Sequence, residues 1–122
     1  MRFLSTRLHG VLDYLVGLLL IAAPFVLHFG RGGPEQWVPV GLGAAVIAYS
    51  LLTDYELGAV RKIAMPAHLW LDAVGGAFLA ASPWIFGFDQ QVCRPHLIVG
   101  LLEIVVAFFS NTIPSYERRR AR

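Results

Sequence analysis

Two histidine–aspartate pairs are the residues of this sequence whose types and spacing could support chemistry. His9 precedes Asp13 by four positions, and His68 precedes Asp72 by the same interval. In a helix, this spacing places the imidazole and the carboxylate on one face. Together with the carboxyl of Glu103, the two pairs would form a polar intramembrane cluster able to hold or relay a proton or to bind a cation.

The same five residues also have a purely structural interpretation. Each Asp would accept a hydrogen bond from the His one turn before it or from a helix end across the bundle. Such bonds average about 0.6 kcal/mol between membrane helices, whereas an unpaired carboxylate costs several times more. Both Asp residues would lie only one or two helical turns inside the membrane–water interface of a transmembrane helix, where they can reach water. We therefore favour the structural interpretation.

Metal and cofactor sites receive little support from the sequence. Two His and two Asp could form a tetrahedral zinc set, but no Cys lies near them and the HxxxD spacing alone is a weak signal. Bis-His haem ligation by His9 and His68 fits the symmetry of the chain, yet nothing else indicates a haem pocket. We therefore predict no metal and no cofactor. The sequence contains no nucleophile–base arrangement, phosphate loop or nucleotide fingerprint, so we predict no enzymatic activity and no catalytic residues.

The two pairs belong to a tandem duplication. Residues 2–53 align without a gap with residues 61–112 at an offset of 59, and 15 of the 52 positions are identical. Shared apolar composition explains matches of Leu, Val and Ala, but it does not align His, Asp and Pro in one register. We predict a single domain, residues 1–122, made of repeat one (2–53), a connection (54–60), repeat two (61–112) and a basic tail (113–122).

Composition indicates that lipid is the solvent of this chain. Of the 122 residues, 57% are hydrophobic and 15% are charged, and the mean hydropathy is +0.61. A soluble domain of this size cannot bury that much apolar surface. The net charge of +2 resides in short basic clusters between apolar runs, which is not the basic stripe of a nucleic-acid binder. We predict the lipid bilayer as a partner and exclude nucleic acid. The single Cys93 excludes an internal disulfide.

Four apolar segments predict four transmembrane helices, at about residues 8–29, 36–53, 67–88 and 96–112. Ser5 or Thr6 can cap the first helix. A helix of about 22 residues spans about 33 Å, enough to cross the hydrocarbon core. The first segment resembles a signal peptide, but it contains Asp13 and recurs internally, so we interpret it as a retained helix. Residues 54–66 form either a short interfacial helix or an irregular loop.

These segments predict an all-α integral membrane four-helix bundle made of two tandem transmembrane hairpins. Both hairpins insert in the same orientation, which predicts a pseudo-two-fold axis along the membrane normal. Eight of the ten Lys and Arg residues lie on the side of the termini and the central connection, which the positive-inside rule places in the cytoplasm. On this topology Trp37 and Trp84 mark the outer interface, and Trp70, Tyr55 and Tyr116 mark the inner one.

Small residues at helical spacing indicate close helix packing, either within the protein or between copies of it. The glycines that we assign to packing are Gly17, Gly41, Gly76 and Gly100. In the gapless alignment Glu103 corresponds to Ala44, so the polar interior is asymmetric. We expect Glu103 to be protonated or paired with a group such as His68 or Tyr49. His28 and His96 are expected at the outer interface, exposed to water.

The second repeat carries the triplet Ser82-Pro83-Trp84 near the end of its first apolar segment. A tandem hairpin repeat with this triplet resembles the SPW-repeat family of small bacterial membrane proteins. The first repeat departs from the motif, because Ala23 and Phe25 flank Pro24 there. The resemblance implies a four-helix integral protein of the bacterial cytoplasmic (inner) membrane, and it implies no established activity.

The leading functional hypothesis is therefore a structural or accessory membrane protein that self-associates as a homo-oligomer or serves a larger membrane complex. The alternative is a small transporter or a proton- or cation-conducting unit that uses the intramembrane His, Asp and Glu residues. Four helices leave little room for an aqueous path in one monomer, which argues against transport unless the chain oligomerises. A third hypothesis is a cofactor binder that uses the two His residues.

Overall fold

Four α-helices account for the regular structure in a computed structural model that describes residues 2–114 and Glu117. They are α1 (Thr6–Val26), α2 (Pro34–Leu51), α3 (Met65–Ile85) and α4 (Arg94–Phe109). The described residues contain two isolated β-bridges and no strand. The prediction of an all-α chain with four helices is confirmed. The tail residues 118–122 and Tyr116, to which the sequence assigns topological roles, lie outside the described residues.

Local sequence explains where each helix begins and ends. The Ser5 hydroxyl caps α1 by accepting a hydrogen bond from the Leu8 backbone N–H at 3.1 Å. Each of the other three helices has a proline in its first turn, where the missing N–H costs nothing. All four helices begin and end about two residues earlier than predicted. At the end of α1 the chain turns through His28, whose φ is 58°, so the last apolar residues of that segment form the turn instead.

Within each hairpin the two helices pack through a pair of glycines. A Cβ added to Gly43 on α2 would lie 2.5 Å from the Gly17 carbonyl oxygen on α1, and a Cβ added to Gly76 on α3 would lie 2.6 Å from the Gly100 carbonyl oxygen on α4. Any side chain at these positions would force the backbones apart. The structure thus places Gly17, Gly76 and Gly100 in helix contacts, as the sequence predicts.

Gly41 faces away from the bundle, so the described structure shows no packing contact for it within the chain, and packing against another copy stays a prediction. Nothing lies within 4 Å of a Cβ added to it, and the packing glycine of α2 is Gly43. Residues two apart in an α-helix lie about 200° apart around its axis, so the two glycines occupy opposite faces.

The structural equivalence of the two repeats follows two different sequence offsets, one for their first helices and another for their second helices. The helices α1 and α3 keep the offset of 59, since Gly17 is equivalent to Gly76. The helices α2 and α4 correspond at an offset of 57, because Gly43 and Gly100 make the equivalent contacts. The β-bridges Leu4–Ser110 and Ile63–Thr53 show the same two offsets. Val46, Tyr49 and Thr53 on the α2 side are therefore the equivalents of Glu103, Val106 and Ser110, and Ala44 is not the counterpart of Glu103.

The hairpins meet along two seams, which the pseudo-symmetry would make equivalent. The seam between α2 and α3 is the more extensive, whereas α1 and α4 contact each other less. The connection after α2 is irregular apart from the bridge between Thr53 and Ile63, so it forms the loop and not the interfacial helix. It inserts Tyr55, which is fully buried rather than interfacial, against Met65 and Leu69 of α3.

Candidate functional site

The two His–Asp pairs converge into one buried cluster between the hairpins. His9 Nε2 lies 3.1 Å from Asp13 Oδ1 on its own helix and 2.6 Å from Asp72 Oδ2 on α3. His68 Nε2 lies 3.2 Å from Asp72 Oδ2 on its own helix and 2.9 Å from Asp13 Oδ2 on α1. Each imidazole therefore faces the carboxylate of its own repeat and that of the other repeat. All four side chains are buried, with exposures of 6% or less.

Two hydroxyl groups determine which ring nitrogen carries a proton. Ser110 Oγ donates its only proton to a backbone carbonyl one turn earlier at 2.6 Å, and it lies 2.6 Å from His9 Nδ1. Thr53 Oγ1 likewise donates to a carbonyl one turn earlier at 2.7 Å and lies 2.6 Å from His68 Nδ1. Each hydroxyl can only accept from the imidazole, so Nδ1–H is the donor in both rings. Both Nε2 atoms are thereby turned toward the carboxylates.

Two phenols hold the outer edges of the carboxylates. Tyr49 on α2 donates a short hydrogen bond to Asp72 Oδ1, and Tyr55 donates to Asp13 Oδ2 at 3.0 Å. Burial raises the pKa of the Tyr55 phenol, which keeps it protonated as a donor. Asp72 Oδ2 is left directed toward the two imidazoles.

Two imidazole nitrogens and the oxygens of two carboxylates face one another at the centre of the cluster. A positive charge is required there to balance the carboxylates. If both imidazoles were neutral, two nitrogen lone pairs would face two carboxylates in a buried site, which is strongly unfavourable. His68 Nε2 is fully buried, and within the described part of the chain its close approach to Asp13 lacks the geometry of a hydrogen bond. The arrangement is satisfied by protons on both Nε2 atoms or by a single divalent cation between the four groups.

Glu103 lies beside the cluster without joining it. It lines a pocket of about 80 Å³ between α1 and α4, which also exposes atoms of His9, Asp13 and Asp72. Among the described residues no side chain hydrogen-bonds to Glu103, so the expected pairing with His68 or Tyr49 is not observed; both of those groups are engaged within the cluster. A pocket of this size holds a few water molecules.

The SPW motif residues close the end of the bundle opposite to the cluster. Pro24 and Pro83 are fully buried, and their carbonyl oxygens accept hydrogen bonds from Gly30 at 3.0 Å and Phe88 at 2.8 Å. Ser82 is also buried and donates to the Leu79 carbonyl at 2.7 Å. The aromatic residues that follow the prolines point outward: Phe25 and Trp84 are 56% and 53% exposed. The motif residues therefore form the helix-to-turn junctions and do not approach the cluster.

His96 was expected at an exposed interface, and this expectation is wrong. Its side chain is 1% exposed and packs between Phe29 and Phe88, with ring centroids 5.3 and 4.9 Å apart. Its Nε2 donates to the Glu35 backbone carbonyl at 2.9 Å, which ties the start of α4 to the start of α2. Phe29 and Phe88 occupy equivalent positions in the two repeats. This repetition was the signal in the sequence for buried rings at this end of the bundle. His28 is exposed, as expected.

Sequence reasoning missed Ser110 and Thr53 as hydrogen-bond partners of the histidines, and Tyr55 as a buried donor. The gapless alignment pairs Thr53 with Thr112, which hides its structural equivalence to Ser110. The available signal was a hydroxyl residue one or two positions beyond the end of each second helix.

Comparison with known proteins returns one family. The model of the SPW repeat domain matches residues 7–110, which covers α2, α3, α4 and all of α1 except its first residue. No curated protein and no solved structure matches the chain.

Proposed function

Because this chain belongs to the SPW-repeat family, we propose that it is a four-span protein of the bacterial cytoplasmic membrane with a structural or accessory role and no catalytic activity. The observation that carries this proposal is an inverted distribution of polarity. The interior holds the charged cluster, while the outward faces of all four helices are apolar: Leu18, Val74 and Ile98, for example, are 59%, 62% and 63% exposed. A water-soluble monomer rarely exposes such a continuous apolar surface.

Helix lengths are compatible with four crossings of a thin hydrocarbon layer. Only α1, with 21 residues, meets a combined test of length and apolarity for a membrane span among the described residues. The others contain 18, 21 and 16 residues. At 1.5 Å per residue the shortest helix spans about 24 Å, so the bilayer would thin locally or α4 would draw on its flanking residues.

The positions of the basic residues support an orientation with both termini in the cytoplasm. Arg2, Arg61 and Lys62 lie at the end of the bundle where α1 and α3 begin, close to the cluster. Arg31 and Arg94 lie at the opposite end. The positive-inside rule assigns the more basic end, and therefore the His–Asp cluster, to the cytoplasmic half of the membrane.

An accessory role is supported by a small-residue face on α2 that no other part of the described chain covers. Gly41, Ala44, Ala45 and Ala48 are exposed and follow one another at helical spacing. Small residues let a second helix approach closely in lipid, where van der Waals packing drives association. This face suits either a second copy of the chain or a helix of a larger membrane complex.

Cysteine labelling tests the topology. The native Cys93 lies in the turn before α4 and is partly exposed, so a membrane-impermeant maleimide should label it in intact spheroplasts. A Cys93→Ser/Lys62→Cys variant should be labelled only after the membrane is permeabilised. Recovery of the chain in the soluble fraction, or the reverse labelling pattern, would contradict the proposed topology.

A pair of matched glycine variants tests the interaction role. Nothing lies within 4 Å of a Cβ added to either Gly41 or Gly75, so Leu fits sterically at both positions. Gly41→Leu should abolish cross-linked oligomers or the co-purified complex, while Gly75→Leu on α3 should leave them unchanged. If both variants associate like the wild type, the α2 face is not the contact surface.

One observation favours the alternative of a proton- or cation-conducting unit. The Glu103 carboxyl, which has no hydrogen-bond partner among the described side chains, lines a pocket beside two buried aspartates, and such residues are typical of ion pathways. Flux across proteoliposomes that Glu103→Gln abolishes would support conduction. Absence of flux with retained assembly through the α2 face would support the accessory role.

A further inference from the structure

Four potential metal ligands converge in the cluster. This convergence indicates a binding function that the repeat pattern alone does not indicate. We propose that the chain binds one divalent transition-metal ion, Zn²⁺ in the first instance, through four side chains: His9, Asp13, His68 and Asp72. The inference differs from the sequence-based expectation of no metal, and it does not depend on the accessory role proposed above.

The ligand atoms are already close to the arrangement of a tetrahedral ion. One donor atom from each of the four side chains lies within 4.8 Å of all the others. Zinc bonds of about 2.0–2.1 Å imply ligand-to-ligand edges of about 3.3–3.4 Å in a tetrahedron. The four nitrogen–oxygen separations, two of which run to different oxygens of Asp13, are 2.6, 2.9, 3.1 and 3.2 Å. These nitrogen–oxygen separations would have to widen by less than about 1 Å to accommodate the ion.

Outer hydrogen bonds orient three of the four ligands toward the centre of the cluster. Metal-bound histidines almost always donate their second ring N–H to an oxygen, which holds the tautomer and the ring plane. Here Ser110 accepts from His9 Nδ1 and Thr53 accepts from His68 Nδ1, so both Nε2 atoms face inward. Tyr49 holds Oδ1 of Asp72 and leaves Oδ2 facing the two imidazoles.

The contacts of His68 Nε2 provide further support. This fully buried atom lies 2.9 Å from Asp13 Oδ2 and 3.2 Å from Asp72 Oδ2, but among the described residues it has no contact with the geometry of a hydrogen bond. Buried polar atoms without a well-formed hydrogen bond are rare and often mark an ion or water site. A metal ion would use this lone pair directly.

Charge and ligand type select the class of ion. Two carboxylates neutralise one divalent cation, so the loaded site carries no net charge in its buried setting, whereas a monovalent ion would leave an excess carboxylate. Imidazole nitrogens favour zinc and its transition-metal neighbours, while Mg²⁺ and Ca²⁺ prefer six or more oxygen ligands. Any protons on the Nε2 atoms leave to water when the ion binds.

The pocket between α1 and α4 supplies an entry path. It is lined by His9, Asp13 and Asp72 of the cluster and by the Glu103 carboxyl. On the other seam, Tyr49 occupies the position equivalent to Val106 and donates a hydrogen bond to Asp72.

Metal content measures the proposal directly. The full-length protein, purified in detergent with a tag that contains no histidine, is loaded with Zn²⁺ and freed of excess ion by gel filtration. Elemental analysis should give one Zn²⁺ per chain, and Co²⁺ loading should give the intense visible absorption of a tetrahedral site. A content below about a tenth of an ion per chain, or the weak spectrum of octahedral Co²⁺, overturns the proposal.

Variants locate the ion and separate binding from folding. His9→Gln/His68→Gln should lose Zn²⁺, whereas His28→Gln, at the exposed outer end, should retain it. Ser110→Ala and Thr53→Val keep all four ligands and remove only the outer acceptors; each should weaken Zn²⁺ affinity about 10- to 100-fold in competition with a chromophoric chelator, with helical circular dichroism unchanged. Binding that survives in the double His variant, or affinity unchanged in both hydroxyl variants, contradicts the proposed site.

Discussion

The two seams between the hairpins occupy equivalent positions in the duplicated chain but differ in how they are filled. In the α2–α3 seam, Val46 is 4% exposed and Tyr49 reaches across to Asp72. In the α1–α4 seam, the equivalent residues are Glu103 and Val106, and a pocket of about 80 Å³ lies between the helices. We call these the closed seam and the open seam.

The difference indicates that one duplicated scaffold has acquired two specialised sides. In the closed seam, Tyr49 completes the hydrogen bonding of Asp72. The open seam leaves the same cluster accessible and adds a carboxyl at its edge. The glycine contacts within both hairpins are the same, so the asymmetry lies between the hairpins. There α2 and α3 contact each other more extensively than α1 and α4, and different side chains fill the two seams.

The largest effect is expected at the cluster, where both seams meet. Asp13→Asn/Asp72→Asn leaves two buried imidazoles without carboxylate partners, so the free energy of unfolding should fall by about 3–5 kcal/mol. Thermal melting in detergent, followed by circular dichroism, measures the change, and His28→Gln serves as the exposed control. A melting temperature equal to that of the wild type would mean that the buried charges do not stabilise the fold.

The second prediction concerns a substitution that gives the closed seam the carboxyl found in the open seam. Val46→Glu places a carboxyl at a position that is only 4% exposed. We expect a loss of about 2.5–3.5 kcal/mol, similar to the cost of an Asp in the centre of a membrane helix. Val46→Gln controls for size, and it should lose less because the amide carries no charge. Equal melting of Val46→Glu and wild type would show that the closed seam also contains accessible space.

The third prediction concerns the hydrogen bond from Tyr49 to Asp72, which distinguishes the closed seam. Tyr49→Phe deletes the phenolic donor to Asp72 while keeping the ring, so the free energy of unfolding should fall by about 1.5–3 kcal/mol, as for other hydrogen bonds to charged groups. Chemical denaturation in mixed micelles provides the measurement. Val106→Tyr, the matched change in the open seam, should not reduce stability, because the pocket can receive the ring. Destabilisation by Val106→Tyr as large as that by Tyr49→Phe would contradict the distinction between the seams.

The smallest effect is expected at Glu103. Since no described side chain hydrogen-bonds to its carboxyl, Glu103→Gln should change the free energy of unfolding by less than about 0.5 kcal/mol. Chemical denaturation in mixed micelles measures this change in the free energy of unfolding. The Val46→Gln variant, with an amide in the closed seam, serves as the comparison. A loss above about 1.5 kcal/mol would show that Glu103 has a stabilising partner, and the open seam would then resemble the closed one.

Much of the architecture could be predicted from the sequence because it depends on local patterns. Apolar segments, turn residues and prolines predict four helices, with limits that differ from the observed ones by two or three residues. The repeat of His and Asp at one offset predicts that the two pairs lie at the same level. The cluster itself follows from these two features and the hairpin topology.

The partners of the cluster could not be predicted in the same way. The identities in α2 and α4 favour an offset of 59, and only the packing of the helices reveals the offset of 57 that makes Ser110 equivalent to Thr53. The exchange of Gly41 for Gly43 as the packing residue has the same origin. The burial of His96 depends on two aromatic rings that lie in different repeats.

The helices, the duplication and the facing His–Asp pairs follow from the order of the amino acids, because helix formation and side-chain spacing are set within a few residues along the chain. Which face of α2 and α4 turns inward depends instead on how the four helices pack. A shift of two residues rotates a helix face by about 200° while leaving its composition almost unchanged. That rotation decided which hydroxyls orient the imidazoles, which seam is closed by Tyr49, and where the cluster stays open.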